Sequence, residues 1–189
     1  MSATSRKLPS TITVKWDRME QETIPFPSVF PWFTHNGLYL APHIFTVKLE
    51  KFNGSPTGAD YVLAGFEQRA AVERKKNLDE LCKNLLSDDY MRSDSSFKRL
   101  VANTAAPYIC IEETATSLLD YQWKPTKRPP PGTPSRQVPA GAAYSAFYRM
   151  VRRLGITPVF LGRPIDRKKS GAAILHLLLS HTPYCDDLL

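Results

Sequence analysis

Cysteine is scarce in this chain and unpaired: three in 189 residues, Cys82, Cys110 and Cys185, with no Cys-x-x-Cys spacing. That excludes a disulfide scaffold and fits free thiols in a reducing compartment. Histidine offers no metal box, since His176 and His181 stand five apart on a helical pattern, the wrong spacing for a shared ion. No stretch stays apolar for long. The greasiest run, residues 172–179, is too short for a bilayer and is broken by His176, and the first ten residues lack the apolar core of a signal peptide. Neither export nor membrane insertion is expected, so the chain is read as intracellular: cytoplasmic if bacterial or viral, nuclear if eukaryotic. Acid is missing from one whole region. Residues 121–165 hold no Asp or Glu but contain Lys124, Lys127, Arg128, Arg136, Arg149, Arg152, Arg153 and Arg163. With a formal net charge of +7 and a pI near 9.4, such a surface gathers polyanions.

What the chain does have is length for one domain and an ordinary apolar share of 42%. Residues 1–10 read as a disordered lead-in and 11–189 as a single domain that opens with a strand over 11–16. Residues 23–33 carry Pro25, Pro27 and Pro31 among aromatics. Prolines at that density argue against a regular element and for a loop packing Phe26, Phe30, Trp32 and Phe33 on the core, base stacking being the other use of such a loop. Strands are expected over 37–41 and 44–50, parted at Pro42. Two short β-friendly runs follow, 61–63 and 69–75, joined by a turn at Gly65, and read as a hairpin. Asn77 with Glu80 three residues on has capping-box spacing, and Leu78, Leu81, Cys82 and Leu85 form one helical stripe. A helix over 93–102, a strand over 107–112, a helix over 140–154 ended by Gly155, a strand over 157–161 and a helix over 166–179 complete the order. Residues 121–139, with three consecutive prolines from Pro129, form a basic insertion that is either an inert loop or an arm along a DNA backbone.

The chemistry sits in the hairpin. Side chains alternate faces along a strand, so Glu73 and Lys75 share one surface and Arg74 takes the other. Antiparallel pairing brings Asp60 beside Glu73, placing two hard oxygen ligands and one ammonium at one spot. Metal-assisted phosphodiester hydrolysis needs such a set, in which carboxylates hold a divalent ion and the cation offsets developing phosphoryl charge. The competing interpretation is a solvated edge strand carrying a surface ion pair.

A more specific signal joins these residues. Glu73-Arg74-Lys75, three residues and Asp79, preceded by Gly58-Ala59-Asp60, resembles the signature of the XPF-type nuclease family, a Gly-Asp pair followed by Glu-Arg-Lys-x-x-x-Asp. Upstream, Asp17-Arg18-Met19-Glu20 looks like that family's first motif, an Asp and a Glu three apart. Downstream, the strand ending at Glu112 is similar to the next core strand. Two departures stand out: Ala59 intervenes between Gly58 and Asp60, and Arg18 adjoins Asp17 where the family's arginine adjoins the Glu.

The resemblance implies an α/β fold with a mixed central sheet flanked by helices, restriction-endonuclease-like. It implies a Mg²⁺- or Mn²⁺-dependent DNA endonuclease acting on branched, flapped or junction DNA, in repair or recombination. Its catalytic set would be Asp17, Glu20, Asp60, Glu73, Arg74, Lys75 and Asp79, with Asp17, Asp60 and Glu73 on the metal. Phosphate contacts are expected from Arg92, Lys98, Arg99, Lys124, Lys127, Arg128, Arg136, Arg149, Arg152 and Arg153. A homodimer or heterodimer through the apolar last helix follows from the same likeness. The alternative is a catalytically silent DNA-binding or scaffolding module, and an RNA-binding reading ranks last because no RNA module is recognisable.

Overall fold

The computed structural model describes residues 8–20, 22–35, 40–52, 54–55, 57–87, 90–124, 138–163 and 167–184. The expected lead-in up to residue 7, the core of the basic insertion at 125–137, Asp166 and Cys185 lie outside the described residues. Seven strands form one mixed sheet. In chain order they are β1 (Thr11–Asp17), β2 (Val29–His35), β3 (Leu40–Phe52), β4 (Tyr61–Leu63), β5 (Ala70–Lys75), β6 (Ala106–Ile111) and β7 (Thr157–Phe160). Their order across the sheet is β2-β3-β1-β4-β5-β6-β7. β5, β6 and β7 run parallel, β4 is antiparallel to both β5 and β1, and β1 and β3 are parallel. The ends of β1, β3, β5, β6 and β7 therefore all reach the same edge of the sheet, where β4 begins.

Among the described residues five helices cover it: α1 (Leu78–Leu86), α2 (Tyr90–Asn103), α3 (Ala115–Asp120), α4 (Ala142–Leu154) and α5 (Arg167–Leu179). The first four pack with Val62, Ala71, Ile109 and Ile111 into one core layer. α5 packs on the opposite face with Tyr61, Leu63, Val72 and Cys110. The capping box starts α1 where expected, with the Glu80 N–H donating to Asn77 Oδ1 at 2.8 Å. Such a cap is worth about 1 kcal/mol, whereas each buried leucine of the stripe Leu78, Leu81 and Leu85 brings roughly 1.5–3 kcal/mol. Packing holds this helix, and the cap sets its first residue.

Three expectations are corrected. Residues 29–35 form a strand in spite of Pro31, because β2 is the outermost strand of the sheet and a missing N–H is tolerated at an edge. Phe30 and Trp32 are buried as expected of that aromatic segment, and Phe26 packs against the same core. Pro42 does not divide two strands. It lies inside β3 opposite Phe33, on the part of β3 that extends beyond its pairing with β1 and so has β2 alone as neighbour. Trp123, counted with the basic insertion in the sequence, belongs to the core: it is 3% exposed in the α1–α4 layer, and the Val138 N–H bonds its carbonyl at 3.1 Å.

In α5, Ile174, Leu175, Leu178 and Leu179 are all buried within the chain against β1 to β5, so covering them requires no second subunit. Coverage of the sheet is uneven. Among the described residues no helix lies on the face of β1–β3 opposite α5, where Val29 and Ile44 are each 53% exposed beside exposed Thr46, Lys48 and Glu50. Among the described residues no helix is long and apolar enough to cross a membrane.

Candidate active site

The β4–β5 hairpin pairs Tyr61 with Val72. The ladder runs one step further through Asp60 N–H to the Val72 carbonyl at 3.0 Å, which sets Asp60 beside Glu73 as the alternation of the strands predicts. Asp60 is then fixed from two sides. Its Oδ2 accepts the Arg74 N–H at 2.7 Å, and its carbonyl accepts the Asp17 N–H at 2.9 Å. Gly58, at φ +76°, supplies the left-handed turn before it, and buried Ala59 fills the extra position between that glycine and the aspartate.

Glu73 and Lys75 face the α1–α4 side. Lys75 Nζ donates to Glu73 Oε1 at 2.6 Å, lies 3.6 Å from Glu80 Oε1, and stands 5.7 Å from the Phe97 ring centre. Burial works against its ammonium, but Glu73, Asp60 and Glu80 outweigh that and push its pKa above the ordinary lysine value. Lys75 therefore stays charged at neutral pH. Asp60 moves the other way for an acid: burial first, and the like charge of Glu73 second, raise its carboxyl well above the usual range.

Arg74 takes the opposite face, as the strand alternation requires. Its Nε and Nη2 donate to the two oxygens of Glu112 at 3.1 and 3.2 Å, and its Nη1 donates to Glu20 Oε1 at 3.0 Å and to the Glu22 carbonyl at 2.6 Å. Its side chain is 1% exposed. The bidentate fork to Glu112 fixes the guanidinium plane, and the third arm ties down the segment after β1. Burial lifts the Glu20 carboxyl above its ordinary value despite Arg74.

These groups line a cleft of about 310 Å³ at the shared strand edge, bounded by Met19, Glu20, Glu22, Asp60, Glu73, Arg74, Lys75, Lys76 and Glu80. Of the expected catalytic residues, the structure brings together Glu20, Asp60, Glu73, Arg74 and Lys75. Two do not join them. Asp17 turns its Oδ1 onto the Met19 N–H at 3.0 Å as a turn residue and does not line the cleft. Asp79 accepts the Trp123 indole N–H at 3.1 Å and lines a neighbouring depression with Asn77, Glu113, Tyr121 and Arg163. Among the described residues no three His, Cys, Asp or Glu side chains converge as a complete metal cage.

Sequence reasoning left Glu22, Lys76, Glu80 and Glu112 out of the site. Lys76 Nζ bonds Glu22 Oε1 at 2.5 Å across the mouth. Glu80 had a signal, because a capping-box glutamate reaches back over the preceding strand end; here its Oε2 takes the Lys76 N–H at 3.0 Å. Glu22 had none beyond its nearness to Glu20.

The expected phosphate contacts divide. Arg92, Arg99, Lys124 and Arg152 are exposed, and Arg99 lies against Gly58, two residues before Asp60. Lys98 and Arg153 both engage Asp94, the former at 2.7 Å, and Arg153 also reaches Tyr90 Oη at 3.3 Å. Arg149, exposed on α4, bonds its own helix at Ser145. Lys127, Arg128 and Arg136 lie outside the described residues.

No family model matches the chain, and no curated protein does. Among solved structures it is similar to XPF from Aeropyrum pernix, with a TM-score of 0.53 and 18% identity over 93% of this chain and 68% of that one. A second structure, XPF from Aeropyrum pernix in complex with DNA, aligns with a TM-score of 0.50 and 17% identity over 88% of this chain and 63% of that one. At these identities the likeness shows the fold: this chain has the mixed-sheet architecture of those structures and spans about two thirds of their length.

Proposed function

We propose that this chain is a divalent-metal-dependent DNA endonuclease whose reaction centre is the cleft at the end of β5. The observation that carries the reading is the juxtaposition of Asp60, Glu73 and Lys75, which strand pairing alone fixes. It is supported by the fold shared with XPF, one of whose structures is a complex with DNA.

The donor set fits a hard cation. Five carboxylates and three cations line the cleft, so a phosphodiester meets net negative charge there, and the Asp60 carboxyl, raised first by burial and second by the like charge of Glu73, is one that a divalent ion would hold in its charged form. Asp60 and Glu73 are the residues to hold Mg²⁺ or Mn²⁺. Two carboxylates suit an ion that keeps part of its water shell. Such an ion polarises the phosphoryl oxygen and lowers the pKa of bound water.

The remaining roles belong to the chain. Lys75, held as an ammonium, offsets negative charge developing on the phosphoryl group and is not the base. Arg74 sits behind the reacting face and holds Glu20 and Glu112, so its role is to position. Exposed Arg99, Arg92 and Lys124 give the backbone of a branched or flapped duplex places to rest.

Cleavage of labelled flaps, junctions and duplexes with and without Mg²⁺ tests the reading. Asp60→Ala and Glu73→Ala should abolish cutting while binding is unchanged or tighter, and Lys75→Ala should slow it by about two to three orders of magnitude. Metal-dependent cutting that survives either carboxylate change would overturn the assignment. Binding without cutting by the unaltered chain would instead make it a silent DNA-binding module.

A further inference from the structure

Among the described residues that line the cleft, Met19 is uncharged and the other eight are all acidic or basic. It is also 71% exposed, so its thioether is open to whatever enters the cleft. In the resembled first motif an arginine adjoins the glutamate, and here an apolar side chain takes that position.

The turn that presents it is held at four points. The Asp17 N–H bonds the Asp60 carbonyl at 2.9 Å, the Arg18 N–H the Phe52 carbonyl at 3.3 Å and the Glu20 N–H the Asp17 carbonyl at 3.0 Å, while Asp17 Oδ1 caps the Met19 N–H at 3.0 Å. Immediately after the tip, Glu20 is anchored on buried Arg74. Asp17 thus has a purpose away from the metal: it stiffens the turn. Met19 is fixed relative to Asp60 and Glu73, because the same backbone bond that closes β1 also holds Asp60.

An apolar side chain carried on a held turn beside a phosphate-cleaving centre has little to offer a phosphate and much to offer the face of a base. Proteins that distort nucleic acid use such side chains as wedges between base steps, where unstacking costs a few kcal/mol in an intact duplex and least where the stack is already broken. We propose that Met19 is such a wedge. It packs against the base exposed at an unstacked step of DNA and thereby favours branched or flapped substrates over continuous duplex. This rests on the nuclease reading and deepens it, since it assigns the preference for substrate shape to one side chain on the rim.

The test uses a flap and a matched continuous duplex, each carrying 2-aminopurine at the branch position, with the full chain and its Met19→Ser and Met19→Leu variants. Fluorescence is read in Ca²⁺ without turnover, and cleavage is read in Mg²⁺. The unaltered chain should raise the fluorescence and cut the flap faster. Met19→Ser should lose the fluorescence rise and lower the flap-to-duplex ratio roughly tenfold, the size expected for one base contact, and Met19→Leu should keep both. Both variants should unfold at the wild-type midpoint because the side chain is on the surface. An unchanged ratio and fluorescence in Met19→Ser, or an unaltered chain indifferent to the branch, overturns the wedge alone. An unaltered chain that neither binds nor cuts DNA overturns the nuclease reading and the wedge with it.

Discussion

Two clusters of arginine and carboxylate in this molecule have acids of similar exposure and cations of opposite exposure. Around Arg74 the acids Glu112 and Glu20 are 6% and 15% exposed, and around Arg153 and Lys98 the acid Asp94 is 11% exposed. The Arg74 side chain is 1% exposed, whereas Arg153 and Lys98 are 51% and 62% exposed. A buried guanidinium has surrendered its water and must keep every partner, so it dictates where those partners sit. An exposed one exchanges its carboxylate for water or for a phosphate at small cost. The first cluster is architecture for the cleft, and the second is a surface free to meet a polyanion.

The sharpest way to break that contrast is Arg74→Met. Leaving Glu112 and Glu20 buried without their cation should cost about 3–5 kcal/mol in chemical denaturation. A loss under about 1 kcal/mol would place Arg74 in the same class as Arg153. Next comes Gly171→Ala. A Cβ there would meet the Pro25 carbonyl oxygen at 2.4 Å and the Phe26 Cα at 3.0 Å, backbone atoms that cannot swing aside. The displaced segment is the one that hands Glu20 and the Glu22 carbonyl to Arg74, so about 1–3 kcal/mol of overpacking cost should come with slower cleavage and unchanged DNA affinity. Normal turnover in a destabilised variant would separate α5 from the cleft.

Acidity distinguishes the clusters by sign. Asp60 and Glu20 have raised carboxyls, from burial foremost, so the stability they contribute is complete below the ordinary carboxylate range near about pH 4 and is lost as pH rises through their folded values. Asp60→Asn should therefore raise the melting midpoint of the metal-free protein at pH 7, and the gain should shrink as the pH is lowered toward 4. A constant gain across that window would remove charge repulsion as its cause. Asp94 runs in reverse. The Lys98 hydrogen bond leads in holding its carboxyl below the ordinary value, so its contribution is present above about pH 4 and fades as pH falls through its folded value. The smallest effect follows: Asp94→Asn should barely move the midpoint at pH 7, less again in high salt, and should leave DNA binding equal or tighter as Lys98 and Arg153 are released. Weaker binding would show that Asp94 orients these cations for DNA.

Much of the cleft was legible in one dimension because its decisive geometry is local. A strand alternates with period two whatever surrounds it, so Glu73 and Lys75 had to share a face and Arg74 had to leave it. A short turn at Gly65 left few registers for Asp60, and Asn77 with Glu80 marked the first turn of α1. The buried stripes of α1 and α4 were legible for the same reason, since a period of 3.6 with leucine, phenylalanine and methionine on one side admits one inward face.

What lay beyond the sequence was whatever depends on elements far apart in the chain. Glu112 became the counter-ion of Arg74 because β6 lies parallel to β5 and ends level with it, which no spacing between residues 74 and 112 encodes. Pro31 was compatible with a strand because assembly put β2 at the edge of the sheet, and Pro42 because β3 there extends beyond its pairing with β1. Asp17 and Asp79 matched a motif in type and spacing, yet one carboxylate was captured by a turn and the other by the indole of Trp123. Backbone periodicity chooses the face a side chain takes, whereas its partner is chosen by whichever donor the folded chain brings nearest, and only the closed sheet with its helices decides that.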